Sequence, residues 1–296
     1  MDWQETKASI LHQRSPGGDV EKLGEGDEAE VYGAGPEHVI RISKEPTDRI
    51  FVRRRREFYA SLERTKVSFE LPFIVEQNEF DGVCYSVERR IAGSSLADVL
   101  LRLDGPARRR ALLAYAETAV AIRQIGHPGS GFGELVADPG IHSPTWEDFV
   151  LRRASLCLST SHGRLSGHVH RPDRALACLG DMLVRRPPVQ PDLVHGDYYP
   201  ANVLIGEDQR ITGVIDFGRL TLKGDACMDA AGAVLYLTGM AGVTTLDKEV
   251  VFSCLQSYGL TEEDVALYRL FYAFRFLETT RTGLLRWCID TIRRAS

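Results

Sequence analysis

Leu193-Val194-His195-Gly196-Asp197-Tyr198-Tyr199-Pro200-Ala201-Asn202-Val203-Leu204-Ile205, continued through residues 206–210 into Ile211-Thr212-Gly213-Val214-Ile215-Asp216-Phe217-Gly218, decides how the rest of the chain is read. Leu193-Val194 is a short apolar run ending in His195-Gly196-Asp197. Residues 203–205 and 211–215 are two more apolar, β-branched runs, and the turn-forming residues Gly206-Glu207-Asp208-Gln209 between them predict a β-hairpin. Folding the hairpin about that turn lays Asp216 across from Ala201 and Asn202. Neighbouring strands lie about 5 Å apart, so the Asn202 amide oxygen and the Asp216 carboxylate can reach one hard cation. Mg²⁺ at phosphotransfer sites is held in this way, by few protein oxygens with phosphate and water completing the shell. Asp197 lies upstream on the loop, free to take a proton from an incoming hydroxyl. The stretch reads as a catalytic centre for phosphoryl transfer.

Taken singly, Asp197 could be a turn residue, Asn202 a cap and Asp216-Phe217-Gly218 a strand-ending turn. The ordered combination, His-Gly-Asp, four residues, Asn, then two apolar residues and Asp-Phe-Gly after a hairpin, is far more demanding. It resembles the aminoglycoside phosphotransferase family, relatives of the protein kinases in which His-Gly-Asp stands for His-Arg-Asp. The resemblance implies an α+β, bilobal, protein-kinase-like fold. A small β-rich N-lobe, residues 1–90, would bind nucleotide. A larger, mostly helical C-lobe, residues 91–296, would carry the catalytic loop and a helical acceptor-binding subdomain. By the same resemblance Asp197 is the catalytic base, His195 supports the loop, and Asn202 and Asp216 are the metal ligands. Asp229 matches a family aspartate that braces the catalytic loop, with acceptor contact as its second reading. The implied cofactors are ATP or GTP with Mg²⁺. The implied acceptor is an aminoglycoside or similar hydroxylated antibiotic, and no nucleic acid or membrane partner is expected.

Upstream, Leu23-Gly24-Glu25-Gly26 leads into residues 27–32, a turn at 33–36 and a second strand at 38–43. Gly24 and Gly26 would let backbone N–H groups approach phosphate oxygens, although an ordinary β-turn explains a lone pair of glycines equally well. The basic strand residue is Arg41, where kinases usually carry lysine. The helix expected at 49–64 offers Glu57 as its partner, since a guanidinium can bind a carboxylate and still face phosphate. The other reading of Glu57 is a solvated ion pair with a neighbouring arginine. Lys44 is the alternative phosphate contact, and the hygromycin B branch of the family is similar in using arginine at the Arg41 position. Strands near 73–77 and 83–88 lead to Arg89-Arg90-Ile91, which reads as the hinge between lobes. Backbone groups at Arg89 and Ile91 would pair with a purine edge, sandwiched by Val31, Val39, Leu204 and Ile215. The run Arg53 to Arg56 lies within the predicted helix and reads as a solvated face rather than a nucleic-acid site.

Residues 106–190 read mainly as helix. Within them, Gly131-Phe132-Gly133 and Thr145-Trp146-Glu147-Asp148-Phe149 resemble a pattern of the hygromycin B branch. His162, His168 and His170 sit in a Gly/Ser/Arg-rich stretch without a nearby acid or cysteine cluster, so a loop is expected there rather than a metal site. After Asp229, residues 230–246 read as a buried helix behind the site. Helices follow at 246–258 and 261–294, the latter capped by Thr261-x-x-Asp264. Its aromatic residues, Tyr268, Phe271, Tyr272, Phe274 and Phe276, read as core, with a hydrophobic wall for the acceptor as their second reading. Glu278 and Asp290 are the tail acids that, by the family resemblance, are candidates for contacting acceptor amines.

Length and composition agree with this reading. At 296 residues, the chain exceeds one average domain and suits two lobes around a cleft. A formal net charge of −5 argues against a general nucleic-acid binder. Six dispersed cysteines without a Cys-x-x-Cys spacing read as reduced core residues, and residues 1–15 lack an apolar leader, so a cytoplasmic protein is expected. A kinase of a housekeeping metabolite would carry the same motifs, whereas the intact Asp197, Asn202 and Asp216 argue against a non-catalytic nucleotide binder. Only ten residues separate Gly218 from Asp229, which leaves no room for the long activation segment of a protein-substrate kinase.

Overall fold

A computed structural model describes residues 2–15, 20–26, 28–44, 49–63, 65–127, 129–137 and 139–296. The first part of the chain is helix α1 (Trp3–Arg14), strands β1 (Lys22–Glu25), β2 (Ala29–Ala34) and β3 (His38–Ser43), helix α2 (Arg49–Leu62), and strands β4 (Ile74–Phe80) and β5 (Val83–Arg89). The strands form one antiparallel sheet in the order β1-β2-β3-β5-β4. Strand alternation divides its residues between two faces. Tyr32, Ile40, Ile42 and Tyr85 pack with Ile10 of α1 in a small core. Val31, Val39 and Arg41, one residue out of phase, face the other way and stay half-buried. Helix α1 is tied onto the sheet by the Trp3 indole N–H, which donates to the Ser43 carbonyl at 2.8 Å. The run Ser15-Pro16-Gly17-Gly18 predicts a stop after a short helix over Trp3 to Gln13, and residues 16–18 lie outside the described residues.

The remainder is mostly helical. It runs β6 (Ser94–Ser95), α3 (Leu96–Leu100), α4 (Gly105–Ala121), β7 (Phe132–Glu134), β8 (His142–Ser143), α5 (Trp146–Thr160), α6 (His162–Leu165), α7 (Pro172–Val184), β9 (Asp192–Val194), β10 (Val203–Ile205), β11 (Ile211–Val214), β12 (Leu222–Gly224), α8 (Cys227–Leu235), α9 (Thr245–Gln256), α10 (Glu262–Arg275) and α11 (Thr282–Ala295). Two small sheets, β11-β10-β6 and β8-β7-β12-β9, bracket the catalytic stretch. A large apolar core built from α4, α5, α7, α8, α9 and α10 supports them. This mixed architecture, a small antiparallel sheet followed by a helical body, is the expected α+β class.

Three local readings change. The buried helix expected over 230–246 stops at Leu235, and the mainly helical stretch 106–190 also holds two short strands, Phe132–Glu134 and His142–Ser143, that pair with each other. Glycine is required there: a Cβ at Gly133 would sit 2.3 Å from the His142 ring and 2.7 Å from the Ile141 carbonyl. Residues 159–173 are more ordered than a loop, holding the single-turn helix α6. The expected 261–294 helix breaks after Phe276 into α10 and α11. The Arg164 guanidinium donates to the Leu277 and Thr279 carbonyls at 3.2 and 2.6 Å, replacing the helical bonds those groups would otherwise seek. The Thr261/Asp264 capping box forms as expected.

Candidate active site

Strand β9 ends directly in His195-Gly196-Asp197, so the sheet β8-β7-β12-β9 aims the loop. Gly196 has φ +80°, and a Cβ there would lie 2.0 Å from the Leu220 carbonyl. Only glycine fits between the loop and the segment after Asp216-Phe217-Gly218. That carbonyl is held from behind by the fully buried guanidinium of Arg275, at 3.3 and 3.4 Å.

Asp229, in the first turn of α8, accepts the His195 N–H at 2.6 Å and the Gly196 N–H at 2.9 Å, one on each carboxylate oxygen. The residue is buried, and burial pushes its carboxyl up to about 6 against the lowering effects of His195 and of the two N–H bonds. Both oxygens are committed to the loop. Bracing, rather than acceptor contact, is therefore the part this geometry gives Asp229.

The His195 imidazole is buried and bridges two backbones. Its Nε2 lies 2.8 Å from the Ile215 carbonyl, and its Nδ1 accepts the Asp197 N–H at 3.2 Å. A carbonyl can only accept, so Nε2 carries the proton and Nδ1 is bare. The ring thereby fixes the backbone of Asp197 to the end of β11. The Asp197 carboxyl is half-buried and raised by that burial, with Asp216 adding to the rise. His195, the Tyr236 hydroxyl and Arg281 oppose it.

The hairpin register is the one expected. Val203 faces Val214, and the Ile215 N–H donates to the Asn202 carbonyl at 2.9 Å, which sets Asn202 and Asp216 side by side across the strands. The Asn202 amide N–H donates to the Asp197 carbonyl at 3.0 Å, leaving its Oδ1 as an oxygen donor. Asp216 sits at φ +65° and takes the Arg41 guanidinium at 3.0 Å. Arg41 first, and Arg55 beyond it, hold the Asp216 carboxyl below its ordinary value despite burial, so it is ionised and ready for a cation. A carboxylate and an amide oxygen on adjacent strands fit the donor set of Mg²⁺, which needs few protein ligands.

Four apolar side chains near this pair in the sequence and sheet register are left out of the packing. Val31, Val39, Leu204 and Ile215 are half-buried, and none belongs to either hydrophobic core among the described residues. Their strand neighbours Tyr32, Ile40, Val203, Ile205 and Val214 are buried in those cores. At the hinge, the Arg89 N–H is committed to the Phe73 carbonyl at 2.9 Å, while Ile91 is buried and packs against Gly213. Gly24 and Gly26 are exposed with no atom within 4 Å of where a Cβ would be, so no packing demands glycine there. Lys44, just after β3, is drawn to Glu25 at the end of β1. Arg41, not Lys44, is the basic residue that reaches Asp216.

The expected Arg41–Glu57 pair does not form. Glu57 is exposed and lies 3.8 Å from Arg53 on its own helix, the solvated pair that was the other reading. The arginine run is correspondingly not one solvated face, because Arg55 turns inward. Its guanidinium binds Glu88 of β5 at 2.9 and 3.1 Å, and Ser86 adds a hydroxyl at 2.6 Å. Tyr59, one turn on, accepts from Arg55 and donates to the Phe217 carbonyl at 3.1 Å. Helix α2 is thus linked to the catalytic segment with the charges inverted, the cation on the helix and the carboxylate on the sheet. Glu88, which the sequence reading missed, lies in phase with Ser86, the residue across from Arg41, and that phase is the signal by which it could have been found.

The tail acids are also placed elsewhere. Glu278 is exposed, with its charge felt at Cys157 of α5, and Asp290 pairs with Arg293 at 2.7 Å. Among the described residues no interaction ties either to the catalytic loop. What faces the loop instead is aromatic. The Tyr236 ring lies 5.7 Å from Tyr199, 5.6 Å from Tyr272 and 6.4 Å from Phe276, and Tyr272 stacks on Phe276. The expectation for residues 268–276 was core packing, and Tyr272 and Phe276 also supply this wall.

The family model described as phosphotransferase enzyme family matches residues 19–265. No curated protein matches. Among solved structures, a thermostable mutant of aminoglycoside phosphotransferase APH(4)-Ia in ternary complex with AMP-PNP and hygromycin B is 22% identical, with a TM-score of 0.74 over 100% of this chain and 99% of that one. ADP-bound aminoglycoside phosphotransferase APH(2'')-Ib is 19% identical, TM-score 0.67, covering 100% and 98%. The streptomycin–ATP–APH(2'')-IIa ternary complex is 17% identical, TM-score 0.66, covering 99% and 97%. At these identities the likeness is one of fold, and that fold is the kinase-like one. Among the described residues no helix is long and apolar enough to cross a membrane.

Proposed function

This chain belongs to the phosphotransferase enzyme family, and on that premise we propose that it moves the γ-phosphoryl group of ATP or GTP to a hydroxyl of an aminoglycoside or similar hydroxylated antibiotic, a resistance activity. The observation that carries the reading is convergence. Asp197, Asn202 and Asp216 are drawn together by the His195 bridge and the Asn202–Ile215 pairing, while Val31, Val39, Leu204 and Ile215 are left half-buried outside both cores.

Each residue then has a task. Val31, Val39, Leu204 and Ile215 clamp the purine, with backbone at the Arg89–Ile91 hinge along its edge. Arg41 neutralises phosphate, and the backbone at Gly24 and Gly26 covers it. Asn202 and Asp216 hold Mg²⁺, which when bound neutralises charge on the phosphate oxygens. Asp197 orients the acceptor hydroxyl and takes its proton. In such sites positioning and charge stabilisation supply most of the rate. The division into a nucleotide lobe of residues 1–90 and an acceptor lobe of 91–296 belongs to the same reading, supported by the end of the five-stranded sheet at Arg89. The antibiotic class rests on the neighbouring structures, which hold hygromycin B and streptomycin.

A coupled assay of nucleotide turnover with Mg²⁺ tests this, screening hygromycin B, other aminoglycosides, macrolides, nucleoside antibiotics, choline and homoserine. Turnover that depends on an antibiotic and falls by roughly 10²–10⁴-fold in Asp197→Ala is expected. Turnover only with choline or homoserine would replace the antibiotic by a metabolite. Full activity in the Asp197→Ala variant would remove Asp197 as the base.

A further inference from the structure

The aromatic wall holds one polar atom that nothing in the fold satisfies. The Tyr236 hydroxyl oxygen is shut off from solvent and has no hydrogen-bond partner among the described residues. A buried tyrosine O–H usually finds a partner, and leaving one unmade is costly. Its ring is not loose, being held edge-on by Tyr199 and tilted against Tyr272 and Phe276. Its place in the sequence explains where it points. Tyr236 is the C-cap of α8, seven residues after Asp229, and positions seven apart share a helix face. Asp229 uses that face to hold the N–H groups of His195 and Gly196. Two turns on, Tyr236 meets the next residue of the same loop, Asp197.

We propose that Tyr236 is a positioning residue, whose hydroxyl donates to one carboxylate oxygen of Asp197 when nucleotide is bound and so turns the other oxygen toward the acceptor hydroxyl. The Tyr236 hydroxyl lies near enough to Asp197 for the two groups to influence each other without a formed hydrogen bond, and burial first, then Asp197, raises Tyr236 well above the ordinary tyrosine value, so it remains an O–H donor. Helix α8 then serves the loop twice on one face, with Asp229 fixing its backbone and Tyr236 its reactive side chain. The proposal rests on the phosphotransfer reading for its consequence, but its geometry can be tested without an acceptor.

The test pairs a crystal structure of the complex with AMP-PNP and Mg²⁺ with kinetics of Tyr236→Phe. In the complex, the Tyr236 oxygen is expected at about 2.7 Å from an Asp197 carboxylate oxygen. A hydroxyl bonded elsewhere, or still without a partner, overturns the proposal whether or not an acceptor has been found. In Tyr236→Phe, kcat should fall about tenfold with acceptor KM nearly unchanged, the worth of one hydrogen bond to a charged group. Thermal stability should be unchanged or higher, because the orphan hydroxyl contributes no bond to the resting fold. Tyr272→Phe is the control, since that hydroxyl already donates to the Met228 carbonyl at 3.3 Å and its loss should lower stability without the kcat effect. Unchanged kcat in Tyr236→Phe, or a rise in KM alone, would overturn the positioning role. A loss of kcat that merely follows a loss of stability would overturn it too.

Discussion

Asp197 can act as a base only while ionised, and burial raises its carboxyl above the ordinary range. A raised carboxyl is protonated at higher pH than a free one, so activity is lost earlier as pH falls. The acidic limb of a kcat/KM profile should therefore lie above pH ~4, the value of an unperturbed aspartate. A limb at or below that value would mean that the base is better solvated than the fold implies. At this scale the sequence was informative where function depends on short spacings. Asp197, Asn202 and Asp216 lie on one loop and one hairpin, so local geometry alone brings them together. Glu57 was misplaced for the opposite reason. Two acidic partners were available to the small sheet, and the rotation of α2, which a sequence window does not reveal, turned Arg55 inward and Glu57 out.

Among elements, helix α2 is the one whose attachment the chain solved in its own way. Arg55, Glu88, Ser86 and Tyr59 form a buried network that ends on the Phe217 carbonyl. Glu88→Gln would leave the Arg55 guanidinium buried without its counter-charge and should cost about 3–5 kcal/mol, together with nucleotide affinity. Glu57→Ala removes an exposed pair within one helix and should cost less than about 0.5 kcal/mol. Urea unfolding of both variants measures the contrast. Equal losses, or a larger one at Glu57, would restore the pair expected from the sequence. Helix α8 shows the complementary case. Its acidic residue Asp229 was legible through the family resemblance, but Tyr236 was read only as part of a buried helix. Periodicity marks which face is apolar, not which atom on that face lacks a partner.

For the whole molecule, ligand binding should be visible as stability. Asp216 is paired with Arg41 across the two parts of the chain, so nucleotide with Mg²⁺ exchanges one charge partner for another at their junction. At a hundredfold excess over Kd, binding to the native state adds about 2.7 kcal/mol and raises Tm by several degrees. Asp216→Asn removes the carboxylate, so the Mg²⁺-dependent part of that shift should vanish while any metal-independent part persists. An unaltered Mg²⁺ effect in calorimetry would place the metal on other ligands.

By itself the sequence determined the order of elements in the small sheet, the hairpin that carries Asn202 and Asp216, the glycine at 196, the family and its kinase-like class. The strands and the hairpin follow from turn chemistry, strand alternation and spacings of a few residues, which are local and leave few alternatives, and the family and its class follow from the resemblance that the motifs in 193–218 carry. Only the tertiary structure decided that β7 and β8 join the sheet beneath the catalytic loop, that Arg275 holds the Leu220 carbonyl against Gly196, that α2 binds Glu88 instead of offering Glu57, and that Tyr236 rather than a tail acid faces Asp197. Each of these brings together residues that are tens of positions apart in the chain. Which of several chemically adequate partners is used there depends on how helices rotate as the core closes, and short sequence patterns do not record that rotation.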